Sequence, residues 1–180
     1  MLKKQLEQIF KDFVRDYAQY SSVSRDAYMR TLQPGATVPE ENQIFGDMVA
    51  EFEAKAAEYR QKADAILDAK IDEVIAEKTA SPSNEAVNVI TLLDARNNVT
   101  EEDIKDVLDT YGDNYQVYRS LQDIAHKIGK DFTNDHPLAE KELVLKQIKR
   151  DVDSYLTYEG IKRRGENFLS FLLENMPEED

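Results

Sequence analysis

Apolar residues recur every three or four positions along most of this chain, a spacing that predicts α-helices. Residues 2 to 33 show it clearly, with Leu6, Phe10 and Phe13 on one face. Serines within Ser21–Ser24 have weak helix propensity, and they permit a break in this first helix. A strictly alternating pattern typical of strands is not apparent, so the chain is expected to be all-α.

A long central helix is predicted over residues 40 to 79, after a turn at Pro34-Gly35. Its apolar residues follow a seven-residue repeat typical of a coiled coil, and the stripe then shifts to Leu67 and Ile71. Forty helical residues span about 60 Å. A compact globule of this size is about 40 Å across, so we expect an elongated molecule. The repeat comprises Phe45, Val49, Phe52, Ala56, Tyr59, Ala63 and Ile66.

Residues 81 to 133 predict a compact module of three short helices. Ser81-Pro82 offers a cap and a first-turn proline for the first of them. Thr100 to Asp103 resembles a capping box, with Val99 and Ile104 placed as a hydrophobic staple around it. Short helices that follow such stop and start signals are expected to pack together.

The stretch DVLDTYGDNYQVY invites comparison with a calcium loop. Counted from Asp109, the third position is Tyr111, which cannot supply a carboxylate, and the closing glutamate is absent. A joint between two helices explains the stretch better. In that interpretation Gly112 ends one helix in the left-handed conformation, and Asp113 caps the next with Gln116 completing a capping box.

A last long helix is predicted from Asn134–Asp135 to about Met176, with Pro137 in its first turn. The acidic residues 177–180 that follow it are expected to fray. The neighbouring His136 is predicted to lie on the surface.

Two clusters near the C-terminus are candidate interaction residues. The first cluster consists of cations, which provide either a contact for an acidic partner or ordinary charge balance near helix ends. The apolar residues belong either to the core or to an oligomer contact. The candidates are Lys146, Lys149, Arg150, Lys162, Arg163, Arg164, Phe168, Phe171 and Leu172.

Charge and composition narrow the function. The net charge of −13 disfavours nucleic acid and anionic membranes as partners. The chain has no cysteine, no apolar run long enough to span a bilayer and no N-terminal signal pattern, and we expect a cytoplasmic protein.

Candidate chemistry is sparse. Asp123 and His126 lie three residues apart, as a carboxylate–histidine metal pair would, but the sequence offers no second such pair. A histidine on a solvated face is the simpler interpretation. No phosphate loop or nucleophile motif is present. We therefore predict no catalytic residue, no metal and no cofactor.

Two resemblances follow from these patterns. Residues 81–125 are similar in outline to ubiquitin-associated three-helix modules, although Arg96-Asn97-Asn98 stands where that family has a Gly-Phe loop. This resemblance implies a three-helix fold, and no binding residue is carried over from it. The whole chain, acidic and helical with a basic patch near its C-terminus, resembles small structural or scaffolding proteins of bacteriophages.

The sequence thus predicts an all-α, elongated helical bundle with coiled-coil-like long helices and a compact three-helix module. Residues 1–80 and 134–180 would form the long-helix arm, and residues 81–133 the module. The expected function is a non-enzymatic assembly or interaction protein that forms a homo-oligomer. The alternatives are an adaptor whose module binds a partner protein or peptide, and a metal-dependent helical enzyme.

Overall fold

The computed structural model describes residues 2–31, 38–131, 136–165 and 167–176. In these ranges it contains eight helices and no strand, which confirms the all-α class. The helices are α1 (Leu2–Thr31), α2 (Val38–Thr79), α3 (Asn84–Asp94), α4 (Glu101–Tyr111), α5 (Tyr115–Lys127), α6 (Pro137–Tyr155), α7 (Tyr158–Arg164) and α8 (Asn167–Glu174). The predicted turn at Pro34-Gly35, the helix start at Asn134–Asp135 and the acidic tail lie outside the described residues.

The chain divides into two compact units. Unit 1 contains Met1–Lys70 and Val144–Asp180, and unit 2 contains Ile71–Leu143. The second unit therefore includes the end of α2 and the start of α6, which the sequence analysis had assigned to the long-helix arm.

Unit 1 is built around aromatic side chains from α1, α2 and α6. Phe13 is fully buried, and its ring lies 5.5 Å from Phe52, 5.8 Å from Tyr59 and 6.0 Å from Tyr155. Such tilted and edge-on contacts are favourable beyond the area they bury. Helix α1 is continuous through Ser21–Ser24, so the break that these serines permit does not occur.

Helix α2 runs without interruption over 42 residues, as the sequence predicts for this segment. Its buried side follows the predicted stripe from Phe52 through Ala56 and Ala63, but Phe45 is 50% exposed. After Ala63 the buried positions move to Leu67 and beyond, at the shift the sequence places there. Supercoiling and an elongated shape stay predictions.

The predicted last helix is in fact three helices. The hydroxyl of Thr157 accepts a hydrogen bond from Gly160 N at 2.8 Å and begins α7. A side chain at Gly160 would place its Cβ 2.4 Å from the carbonyl oxygen of Ser154, so this close turn requires glycine. Gly165, with φ of +72°, ends α7 before α8 begins. The apolar periodicity continues across both breaks, which is why it suggests one helix.

Unit 2 contains the three short helices α3, α4 and α5, packed on one another. The capping box is confirmed: Thr100 and Asp103 exchange hydrogen bonds between side chain and backbone. These bonds lower the pKa of the Asp103 carboxyl. Val99 packs against the cluster that contains Ile104, as the staple predicts. The fully buried centre of this cluster is Val117 and Leu121.

Three helix ends in unit 2 differ from the prediction. Helix α3 is capped by Ser83, whose hydroxyl accepts from Ala86 N, and Ser81-Pro82 lies before the helix. Helix α5 is capped by Asn114, whose side chain accepts from the backbone of two residues in the first turn, so Asp113 is not the cap. Gly112 has φ of −67°, so it ends α4 in the right-handed and not the left-handed conformation. The stretch is a helix joint, as predicted.

Candidate interaction site

A ladder of one cation and two aromatic rings joins α7 to α8. The Arg164 guanidinium carbon lies 4.5 Å from the centre of the Phe168 ring, and that ring lies 6.2 Å from the ring of Phe171. Phe168 is half-buried and also contacts Tyr155, at 5.4 Å. Phe171, at the outer end, is 58% exposed. The cation therefore borders an exposed aromatic surface.

The two residues before Arg164 extend this surface. Lys162 and Arg163 are both exposed, and the ammonium of Lys162 lies 5.5 Å from the ring of Tyr158. All three cations occupy the last turn of α7, where they complement the negative end of the helix. We call Lys162, Arg163, Arg164, Phe168 and Phe171 the C-terminal surface.

The structure separates the remaining predicted interaction residues from this surface. Leu172 is 3% exposed and belongs to the core of unit 1. Lys146 and Arg150 are exposed on α6. Lys149, on the same helix, pairs with carboxylates of its own unit.

Lys149 is held by two aspartates of α2. Its ammonium lies 2.6 Å from Asp68 Oδ2 and 3.3 Å from Asp64 Oδ1, and the hydrogen bond to Asp68 raises the pKa of Lys149. The Asp64 oxygen is buried and lacks hydrogen-bond geometry to the ammonium. Burial, followed by the charge of Asp64, raises the pKa of the Asp153 carboxyl beside them. Lys149 therefore acts within unit 1, and neither aspartate partner was identified from the sequence.

A groove of about 710 Å³ opens on unit 2, where the end of α2, the joint between α4 and α5, and the start of α6 meet. Its apolar lining includes Leu108, Tyr118 and Leu138, and the exposed carboxylates of Glu77 and Asp113 are also in its lining. This volume is within the range of small-ligand sites, about 300–1,000 Å³.

His136 forms one wall of this groove and is 5% exposed, so its predicted surface position is wrong. Its Nε2 lies 3.1 Å from the carbonyl oxygen of Gly112, and its Nδ1 accepts from Leu138 N at 3.1 Å. The rings of Tyr115 and Tyr118 contact it edge-on. Both bonds together define the neutral tautomer with the proton on Nε2. The imidazole thus caps α6 and fixes it to the α4–α5 joint.

Side chains of the joint also fix the end of α2. Gln116 Nε2 donates to the carbonyl oxygen of Lys78 at 2.6 Å, and Asn114 Nδ2 donates to that of Ala80 at 3.2 Å. Lys78 itself pairs with Glu142 at 2.5 Å, a hydrogen bond that raises the pKa of Lys78. The groove is therefore bounded by helix ends that hydrogen bonds hold in place.

Asp123 and His126, the candidate metal pair, are both exposed on α5. Within the described ranges, no group of three histidine, aspartate or glutamate side chains could hold a metal ion. Likewise, none of the described helices is both long and apolar enough to cross a membrane.

In the described residues the fold is all-α, and the chain divides into two units. Comparison with protein-family models, with curated proteins and with solved structures found no match to it.

Proposed function

We propose that this chain is a non-enzymatic helical protein that self-associates and functions in assembly, through its C-terminal surface. The observation that carries the proposal is Phe171, which is 58% exposed at the end of a cation–aromatic ladder. An assembly role is also what the resemblance to phage scaffolding proteins implies.

Charge supports association between copies. The chain has a net charge of −13, yet α7 ends in three consecutive cations. Arg164 already lies 3.9 Å from Asp151 of its own unit. A second copy presents acidic surface in excess, so Lys162 and Arg163 would meet complementary charge when two copies come together. The exposed ring beside them supplies apolar area that contact would cover.

The exposed part of Phe171 has an area on the order of 100 Å². At about 25 cal/mol per Å², covering it contributes about 2.5 kcal/mol. Replacing Phe171 with serine should therefore weaken self-association by about 10- to 70-fold, since about 1.4 kcal/mol corresponds to a factor of ten.

Sedimentation velocity tests this proposal across low to high micromolar protein. The wild type should form species larger than the monomer, and Phe171→Ser should shift the equilibrium towards the monomer. Leu92→Ser is the matched control, because Leu92 is 65% exposed but lies on α3, away from the C-terminal surface in sequence. A wild type that stays monomeric at high micromolar concentration would refute the proposal.

A further inference from the structure

We propose that the groove of unit 2 is the acceptor for the C-terminal surface of a second copy of this chain. The inference rests on the proposed function and deepens it, since it names the partner surface. The first reason is that the groove offers apolar lining from Leu108, Tyr118 and Leu138. An exposed aromatic side chain such as Phe171 is suited to such a lining.

The second reason is electrostatic. Glu77 and Asp113 place two exposed carboxylates in the lining of the groove. The groove therefore selects an apolar group that carries cations beside it. Lys162 and Arg163, which are exposed on α7 of unit 1, provide those cations.

The third reason is that the groove is already formed without a partner. His136 links Gly112 to the first turn of α6, and Gln116 and Asn114 hold the end of α2. A preformed site loses less conformational freedom when a partner binds than a mobile one does.

This contact joins two different surfaces, so a bound pair still has a free C-terminal surface on one copy and a free groove on the other. Such heterologous contacts add further copies, whereas a self-complementary contact closes at a dimer. This arrangement allows an experiment with two variants, each of which lacks one of the two surfaces, so that they can pair in one way only.

The experiment uses two full-length variants. The donor variant carries Lys162→Gln, Arg163→Gln and Phe171→Ser, and the acceptor variant carries Glu77→Lys and Asp113→Lys. Each variant alone should sediment as a monomer, because each lacks one half of the contact. An equimolar mixture should form a 1:1 dimer that does not grow further, since each variant retains the half that the other lacks.

The possible results separate the two proposals. A donor variant that is monomeric beside an acceptor variant that associates like the wild type would overturn the groove assignment and leave the proposed function standing. A wild type that does not associate would overturn both.

A cysteine experiment keeps the inference testable if the acceptor variant fails to fold, which circular dichroism would show. The chain has no cysteine, so single introduced cysteines can pair only with each other. Ser170→Cys mixed with Ala80→Cys should form a disulfide-linked heterodimer about tenfold faster than Ser170→Cys mixed with Leu92→Cys, because docking raises the local concentration of the two thiols. Ser170 and Ala80 are exposed and Ala80 lines the groove, so neither change removes Phe171 or a groove carboxylate. Equal rates in the two mixtures would overturn the inference.

Discussion

Replacing Lys149 with methionine tests whether this cation serves the interior of unit 1. The change keeps an unbranched apolar stem and removes the ammonium that lies 2.6 Å from Asp68 and 3.3 Å from Asp64. It leaves the negative charges of both aspartates and of Asp153 without their shared cation. The like charges then repel one another within the unit.

The loss in the free energy of unfolding depends on how exposed the side chains of the two ion pairs are. The Lys149 side chain is 26% exposed, and the aspartate side chains are 33% exposed for Asp64 and 54% for Asp68, so solvent screens both pairs. Exposed ion pairs contribute about 0.2–1 kcal/mol each. We therefore expect Lys149→Met to lower the free energy of unfolding by about 1–2 kcal/mol at neutral pH, including the new repulsion.

Urea denaturation followed by circular dichroism measures this loss. Because its pKa is raised, Asp153 binds a proton as the pH falls, and its share of the repulsion disappears. The difference between variant and wild type should therefore shrink towards pH 4. Arg150→Met is the matched control, since the neighbouring Arg150 is exposed on the same helix, and it should stay within about 0.5 kcal/mol of the wild type. A loss of equal size at both pH values would contradict repulsion between the carboxylates as its cause.

Three further predictions concern stability and use the same denaturation assay. Asp153→Asn should stabilise the protein at pH 7 by up to about 1 kcal/mol. Burial, followed by the charge of Asp64, raises the pKa of Asp153 in the folded state, so the ionised carboxylate costs stability as the pH rises through that pKa. The gain should vanish at acidic pH, and a gain that persists there would show that the ionised carboxylate is not its source. Thr100→Ala should lower the free energy of unfolding by about 1 kcal/mol, and Thr100→Ser by much less, since serine keeps the capping oxygen. Equal losses in the two variants would contradict a stabilising role of the cap. His136→Ala should lower the free energy of unfolding by about 1–3 kcal/mol. His136→Asn should lower it less, because asparagine can cap α6 although it loses the bond to Gly112. Equal losses in the two variants would exclude the cap as the source of the stability.

The sequence predicts those elements whose signals are local. The Thr100 to Asp103 capping box and the Val99 staple involve residues within a few positions of one another, and the structure confirms both. The uninterrupted α2 follows from high helix propensity and from the position of its proline, Pro39, in the first turn, which are also local properties.

Contacts between residues that are distant in sequence explain what the sequence misses at His136 and Lys149, whereas the break before α7 is local and the continuing apolar periodicity conceals it. His136 beside a proline resembles a surface residue, but two tyrosines of α5 and the Gly112 carbonyl enclose it. The break before α7 depends on the close approach of Gly160 to the Ser154 carbonyl. Lys149 resembles its exposed neighbours in sequence, and only the packing of α6 on α2 shows its aspartate partners. The signal for these partners in the sequence was the spacing of four residues between Asp64 and Asp68, which places both carboxylates on one face of a helix.

The exposure of Phe171 follows from the composition of α8 itself. A short amphipathic helix turns one stripe towards the core, and α8 contains more apolar residues than one stripe accommodates. Leu172 occupies the buried side, and the next position along a helix is rotated by about 100°, so Phe171 cannot share that side. A polar residue at position 171 would leave the packing of Leu172 intact. Within the unit, the Phe171 ring contacts Phe168 yet stays 58% exposed, so most of its apolar area becomes useful only when another surface covers it.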